Sequence, residues 1–344
     1  YFKGNLAKEH AGAIFTFYVK LKINLRNNKF IQNSAQGGNA ISINLSAHLN
    51  IVSNKFYKHS TGKQPIVTLS QITRSVLYFC TFEYHLKSHA VHFAYPKFME
   101  IHYCYFKSGQ HSAIFAQTGQ VLVVNNSIFH EYMGDKYDPG AISSVSVKRL
   151  VSLSNTSFVH INGKRYGGAI SVYFTDYIKI YGCKFINCSS NYRGGGINVH
   201  KCKQFRITAS LLIRNSAQEG AGIHVSDCDK VFSYKTDFVR NVANKSAAGI
   251  YSARNALLQN VNTKFVLLHG GAIAILSKKP TAEIINTGCH FINCSSINGA
   301  AVQGITTPYT MTSLFMVKNI RCIFKNNYAL GPGGCIFFRH LKLF

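Results

Sequence analysis

A phrase running from Gly182 to Ile197, GCKFINCSSNYRGGGI, returns at Gly288 to Ala301 as GCHFINCSSINGAA, and a looser echo of it fills almost the whole chain. Its skeleton is a small residue, a spacer, Phe, then Asn or Cys, a short polar run and a glycine-rich step into an aliphatic residue. The aromatic anchor falls at Phe158, Phe185, Leu212 (a substitution), Phe238, Phe265 and Phe291, in steps of 27, 27, 26, 27 and 26. Upstream lie Phe129, Phe106, Phe82, Phe56 and Phe30, in steps of 29, 23, 24, 26 and 26, and Phe324 follows Phe291 after 33. The aliphatic half keeps the same beat from Ala13-Ile14 and Ala40-Ile41 to Cys335-Ile336. A fixed period of this size means stacked supersecondary units. One solenoid over residues 1–344 therefore takes precedence over two or three ordinary domains.

Within a unit such as Ala169 to Phe185, two alternating stretches, AISVYF and YIKIYGCKF, flank a break at Thr175-Asp176. Alternation rich in Ile, Val, Tyr and Phe is the strand signal, and no window sustains a helical period. A unit of this length holds two or three strands and closes one triangular turn. Stacking such turns predicts an all-β fold, a parallel β-helix of about 12 to 13 coils and a rod about 60 Å long.

Side chains alternate along a strand, so the residue two before each anchor shares the face of the Phe. That column reads Asn28, Asn54, Cys80, Cys104, Ser127, Thr156, Cys183, Ser210, Thr236, Thr263, Cys289 and Cys322. Every member is small and polar or a thiol, which predicts an interior ladder beside Phe158, Phe185, Phe238, Phe265 and Phe291. Three residues after the anchor stand Asn33, Asn215, Asn241 and Asn327, with Cys188 and Cys294 in the two best copies. Asn tolerates left-handed backbone, so this column is expected at a turn, and the glycines before the aliphatic residue at a second tight corner. Residues 57–150 are less regular, residues 131–139 (EYMGDKYDP) read as a protruding loop, and residues 305–318 as an insertion.

The 38 Lys and Arg outweigh 12 Asp and Glu, a formal charge of +26. Such an excess favours anionic partners: an acidic protein surface or larger assembly such as a microtubule, nucleic acid, or an acidic glycan. Compositional drift is the bland alternative, since Lys, Asn, Ile, Phe and Tyr are all abundant and Trp is absent. The candidate interaction surface comprises Lys29, Lys55, Lys184 and Lys264, one residue before their anchors, with Lys179, Lys201, Lys203, Arg206, Lys230, Lys235, Arg240, Lys278 and Lys279. In successive coils these are expected to stack into a basic band. No nucleic-acid fold signature or aromatic stacking motif accompanies them.

Catalytic, metal-binding and cofactor-binding residues are not expected. The ten cysteines lack zinc-knuckle spacing. Cys80, Cys104, Cys183, Cys289 and Cys322 interchange with Ser, Thr and Asn in one column, which marks them as buried free filler. The pairs Cys80/Cys104 and Cys202/Cys228 nonetheless lie close enough on adjacent coils to permit a bridge. Polysaccharide-cleaving β-helix enzymes need clustered carboxylates, and the best cluster is Asp227, Asp229 and Asp237 with Arg254 a coil later. Solvated surface charge is the simpler reading of it. The fifteen histidines form neither HxH nor HExxH. No run approaches the roughly 20 apolar residues of a membrane span, and with Tyr1 in place of Met the chain reads as an excerpt of a longer protein. Sequons begin at Asn44, Asn125, Asn155, Asn187, Asn244 and Asn293.

The pairing of F-x-x-N with G-G-A-I resembles the repeat of the chlamydial polymorphic membrane proteins and of related protist proteins, notably in trichomonads. The matching residues are Phe30 to Asn33 with Gly37 to Ile41, Phe185 with Gly194 to Ile197, Leu212 and Asn215 with Gly220 to Ile223, and Gly270 to Ile273. The resemblance implies a right-handed parallel β-helix serving adhesion or surface display, at the cell surface or secreted. Cysteine at two Asn positions and the strong positive charge depart from the pattern, and unpaired thiols point instead to a reducing compartment. A non-enzymatic adhesion or interaction scaffold is thus the expected function. An intracellular scaffold docked on an acidic assembly and a carbohydrate-active enzyme are the alternatives.

Overall fold

The computed structural model describes residues 1–8, 11–35, 40–59, 64–85, 88–135, 139–277, 281–306 and 314–339. Every regular element among them is a strand, and the strands pair in parallel. A thirteen-stranded sheet runs from Phe2–Lys3 through Lys29–Ile31 and Lys184–Ile186 to Ile323–Lys325. Its register sets anchor on anchor, Phe30 on Phe56, Phe158 on Phe185, Leu212 on Phe238 and Phe291 on Phe324. Phe2 adds a rung that the repeat had not disclosed, paired with Phe30.

The anchors form a continuous aromatic core. From Phe2 to Phe185 neighbouring ring centroids lie 4.5–4.9 Å apart, with planes within 8°. The stack resumes from Phe238 to Phe324 at 4.9–5.0 Å. Leu212, fully buried, fills the place between the two runs. Strand spacing and ring stacking distance nearly coincide, so one ladder satisfies both. Burial of each ring is worth about 1.5–3 kcal/mol.

The second wall is a twenty-stranded sheet built from two arms per coil. In Ile170–Tyr181, Ile197–Thr208 and Ile223–Tyr234 the arms are one twelve-residue strand. The expected break at Thr175-Asp176 is instead a bend at Phe174 (φ 59°), repeated at Lys201 and Asp227 (both 57°). In these three coils the bend falls at the same register, so pairing resumes beyond it, Thr175 on Cys202 and Cys202 on Cys228. A third, short wall contains Asn162–Gly163, Ser189–Ser190, Ser216–Glu219 and Val242–Ser246.

Two more corners flank the phenylalanine strand. The residue three before the anchor is left-handed at Asn27, Ser53, Phe79, Tyr103 and onward to Arg321, and so is the residue two after it, from Gln32 and Lys58 to Asn326. The Asn column therefore follows the left-handed residue instead of occupying it. Its members are interior: Asn215 Oδ1 accepts from the Cys188 N–H (2.9 Å) while its Nδ2 donates to the Phe185 carbonyl (3.1 Å). The glycine step does make a corner, at Gly167, Gly194 and Gly220 (φ 60–67°). Gly222 serves close approach instead, since a Cβ there would sit 2.8 Å from the Phe238 ring.

The column two before the anchor is the predicted ladder. From Asn54 to Cys289 it is buried, and half-buried at Asn28 and Cys322. Its backbone N–H groups donate along the column, Asn28 to Asn54 Oδ1 (2.9 Å), Cys104 to Ser127 Oγ (3.1 Å) and Cys183 to Ser210 Oγ (3.1 Å). Burial pushes the thiols of Cys183 up to about 11 and of Cys188, Cys289 and Cys294 to about 12, as expected of inert filler. Cys202 and Cys228 depart from that pattern, forming a disulfide with Cα atoms 4.6 Å apart. Cys80 and Cys104 stay free.

Pairing continues in register through residues 57–150. Of the loop expected over 131–139, Glu131 and Tyr132 instead end the strand Ile128–Tyr132 and Met133 bridges Asn162, while residues 136–138 lie outside the described residues. The Tyr132 ring is fully buried and takes the space that Gly109 leaves open one coil earlier. The insertion over 305–318 is bounded by Val302–Thr306 and Leu314–Ile320, and residues 307–313 lie outside the described residues.

Candidate interaction surface

Outward columns of the phenylalanine sheet carry Lys29, Lys55, Lys184 and Lys264, all exposed. Only Lys29 and Lys55 are adjacent; Lys184 pairs with Leu211, and Lys264 with Asp237 and His290. On the broad sheet Lys179 stacks on Arg206, whereas Lys230 stacks on Gln204. Lys201, Lys235 and Arg240 occupy left-handed corners, each on a different edge of the coil. Lys278 and Lys279 lie outside the described residues. The expected single band is thus replaced by two stacked cation pairs and isolated corner charges.

The phenylalanine sheet carries the larger basic feature. A groove of about 610 Å³ is lined by Lys3, Lys29, Lys55 and Lys58, with Tyr57, Tyr105, Thr81, Gln32 and, as the one acid among the described residues, Glu83. Lys29, Lys55, Thr81 and Tyr105 form one outward row, and Lys3, Ile31, Tyr57 and Glu83 the parallel row two residues away. None of the four lysines is ion-paired to a carboxylate among the described residues. Tyr57 meets Tyr84 edge to face at 5.6 Å, with Lys58 over Tyr57 (5.2 Å) and Lys107 over Tyr84 (6.0 Å). Lys3 and Lys58 escaped the sequence reading. The Phe2 rung was the signal for Lys3, and Lys58 hides in a corner column of mixed chemistry.

A second cavity, of about 480 Å³, lies at the bend of the broad sheet between Lys148, Phe174, Asp176, Lys201, Lys203, Asp227 and Asp229. Arg254 from the next coil grips Asp227 with two hydrogen bonds, Nε to Oδ1 (2.6 Å) and Nη2 to Oδ2 (2.5 Å). This fork holds the Asp227 carboxyl below its usual range. His200 Nδ1 stands 3.2 Å from the same carboxylate, Lys203 Nζ lies 3.1 Å from Asp176 Oδ1, and the Lys201 ammonium sits over the Phe174 ring at 5.0 Å. The cluster expected around Asp227 and Asp229 is therefore a lattice of opposite charges, in which the best-held carboxylate stays ionised.

The family follows from a comparison that covers most of these coils. A family model described as the right-handed β-helix region matches residues 89–286. This chain belongs to the right-handed β-helix family. The match supplies the hand of the solenoid, which no spacing in the sequence determines. No curated protein and no solved structure matches the chain. Members of a β-helix fold include enzymes and non-enzymes alike, so the function of this β-helix rests on its own surface.

Proposed function

We propose that this β-helix is a rigid, non-enzymatic scaffold that docks through its outer side chains on a partner with an acidic surface. What carries the reading is how its few carboxylates are engaged. Glu100 is held by Arg74 (2.8 Å), Glu219 by Arg193 (3.0 Å), Asp176 by Lys203 (3.1 Å), Glu283 by Lys318 (3.2 Å) and Asp227 by Arg254, each cation coming from a neighbouring coil. With 38 basic residues against 12 acidic, the surplus facing solvent is cationic. General acid and base catalysis needs one carboxyl kept protonated beside one kept ionised, and the grip of Arg254 suits Asp227 to the ionised role alone.

The resemblance to polymorphic membrane protein repeats supports adhesion or protein–protein interaction as the setting; docking on an acidic assembly such as a microtubule uses the same surface chemistry. The test is retention of the purified chain on microtubules, immobilised DNA and acidic polysaccharide beads across a salt series. Retention on at least one support, released by salt, is expected. Passage through all of them at low salt would overturn the reading.

The cavity lined by Asp176, Asp227 and Asp229 favours a carbohydrate-active enzyme as the second reading. Release of reducing or unsaturated ends from acidic polysaccharides, abolished by Asp227→Asn and Asp229→Asn, would establish it in place of the scaffold. The scaffold reading expects no release.

A further inference from the structure

We infer that the groove over the first coils of the phenylalanine sheet is the binding site for a linear acidic polysaccharide. The inference rests on the scaffold reading and assigns it a place and a ligand class. Four lysines without a carboxylate partner among the described residues, Lys3, Lys29, Lys55 and Lys58, line one groove of about 610 Å³ whose lining includes one carboxylate, Glu83. Lys29 and Lys55 sit on neighbouring strands, so their Cα atoms repeat at about 4.8 Å along the rod. A straight, stiff face carrying point charges at that interval suits a straight polyanion laid along the helix axis. Beside the charges the lining offers hydroxyls and an amide, those of Tyr57, Tyr105, Thr81 and Gln32, which match the many hydroxyls of a sugar chain.

The same groove disfavours the other polyanions. Single-stranded nucleic acid is held by bases stacked on open aromatic faces. Here the Tyr57 and Tyr84 rings pack at 84° to each other and carry the ammonium groups of Lys58 and Lys107 over their faces. Among the described residues the groove lining contains no arginine, whose fork is the usual partner of phosphate. An acidic peptide adds to a sheet through free edge groups, and the floor under Lys29, Lys55 and Thr81 is the face of strands paired on both sides.

The test titrates the full chain against fluorescein-labelled heparin oligosaccharide, an oligothymidylate of matched charge and poly-glutamate, by anisotropy. Heparin is expected to bind most tightly, with affinity falling as salt rises. Lys29→Glu with Lys55→Glu should lower heparin affinity at least about tenfold, while Lys29→Arg with Lys55→Arg keeps it within about threefold, since charge is retained. Arg321→Glu with Lys325→Glu, exposed cations at the other end of the phenylalanine sheet, serves as the control for net charge and should change it by no more than about threefold. A melting curve checks each variant's fold. Independently, heparin should protect Lys29, Lys55 and Lys58 of the unaltered chain from acetylation. Heparin binding untouched by the groove reversal, or no lysine protection, would overturn the site and leave the scaffold standing. Equal binding of oligothymidylate or poly-glutamate with the same mutational pattern would overturn the ligand class. Binding of none of the three would overturn the site, while the scaffold reading stands or falls on the retention series with microtubules, DNA and acidic polysaccharide.

Discussion

Leu212 is the one aliphatic anchor in the interior stack, packed between Phe185 and Phe238 and fully buried. The coils that follow show how a Phe fits at an anchor: Gly222 leaves room for the Phe238 ring and Gly249 for that of Phe265, and Gly196 opposes Leu212 in the same way. Leu212→Phe should therefore join the two aromatic runs without a clash and stabilise by about 0.5–1.5 kcal/mol through the new ring pairs. Leu212→Ala should cost about 2–5 kcal/mol, because the flanking rings are fixed by their strands and the hole cannot close. Equilibrium urea unfolding of the three proteins checks both, and destabilisation by Leu212→Phe would show the stack cannot accept a ring there. The anchors were legible because stacking needs one shape at one period. Lys201, Asp227 and Arg254 were not legible as corners, because left-handed backbone in this fold falls on residues of nearly every kind. Neighbouring coils supply hydrogen bonds on both sides, which offset the 1–2 kcal/mol of strain at each such residue and remove the need for glycine.

At the scale of one coil, the corners decide what the strands expose. Residues Lys201 to Arg206 look like one basic cluster in the sequence, yet the chain turns at Lys201, sends Lys203 to Asp176 and puts Arg206 on the broad sheet beside Lys179. Linear charge clusters therefore misled, whereas the column two before the anchor was read correctly because alternation holds through that strand. The Asn column belongs to the same corner, and Asn215→Ala tests it. The change leaves the buried Cys188 N–H without its side-chain acceptor and the Phe185 carbonyl without the amide that caps it. A loss of about 1–3 kcal/mol is expected in urea unfolding. A smaller loss would mean the corner is held by packing alone. The Cys202–Cys228 bridge ties two coils that already pair through ten residues. Reduction, or Cys202→Ser with Cys228→Ser, should therefore leave the pairing intact and lower the thermal midpoint by a few degrees, corresponding to about 2–4 kcal/mol or less. Collapse of the far-ultraviolet signal on reduction would contradict this.

The whole rod should have a stability that depends on pH in a way its buried histidines set. His59 and His85 continue the column of Asn33, fully buried with ring centroids 6.0 Å apart. Burial lowers both, and the neighbouring His59 lowers His85 further, so that His85 stays neutral. His224, stacked on Tyr251 at 5.1 Å and faced by Arg193, Arg254 and His200, is lowered by burial and by those charges to about 3. His92, against Phe115, is lowered to about 4, chiefly by burial. Above the ordinary imidazole value of about 6.5 these rings are neutral in both folded and unfolded chains, so they give no slope. Below it the unfolded chain takes up protons that the fold refuses, and stability falls with each pH unit by as much as about 1.4 kcal/mol per refused proton. The loss should begin near pH 6.5 and continue towards the lowered values, well before the carboxylates held by Arg74 and Arg254 begin to protonate. On the alkaline side the buried thiols of Cys188, Cys289 and Cys294, raised to about 12, impose the opposite limit. The unfolded chain ionises them above about 8.5, and stability declines from there. Thermal midpoints measured from pH 4 to 10 should thus plateau between about 6.5 and 8.5. His59→Asn with His85→Asn would rebuild the amide ladder that begins at Asn33, and it should make the acid limb shallower, leaving the share of His92 and His224, with the alkaline limb unchanged. An acid limb of unchanged slope in that variant would place the titrating groups elsewhere.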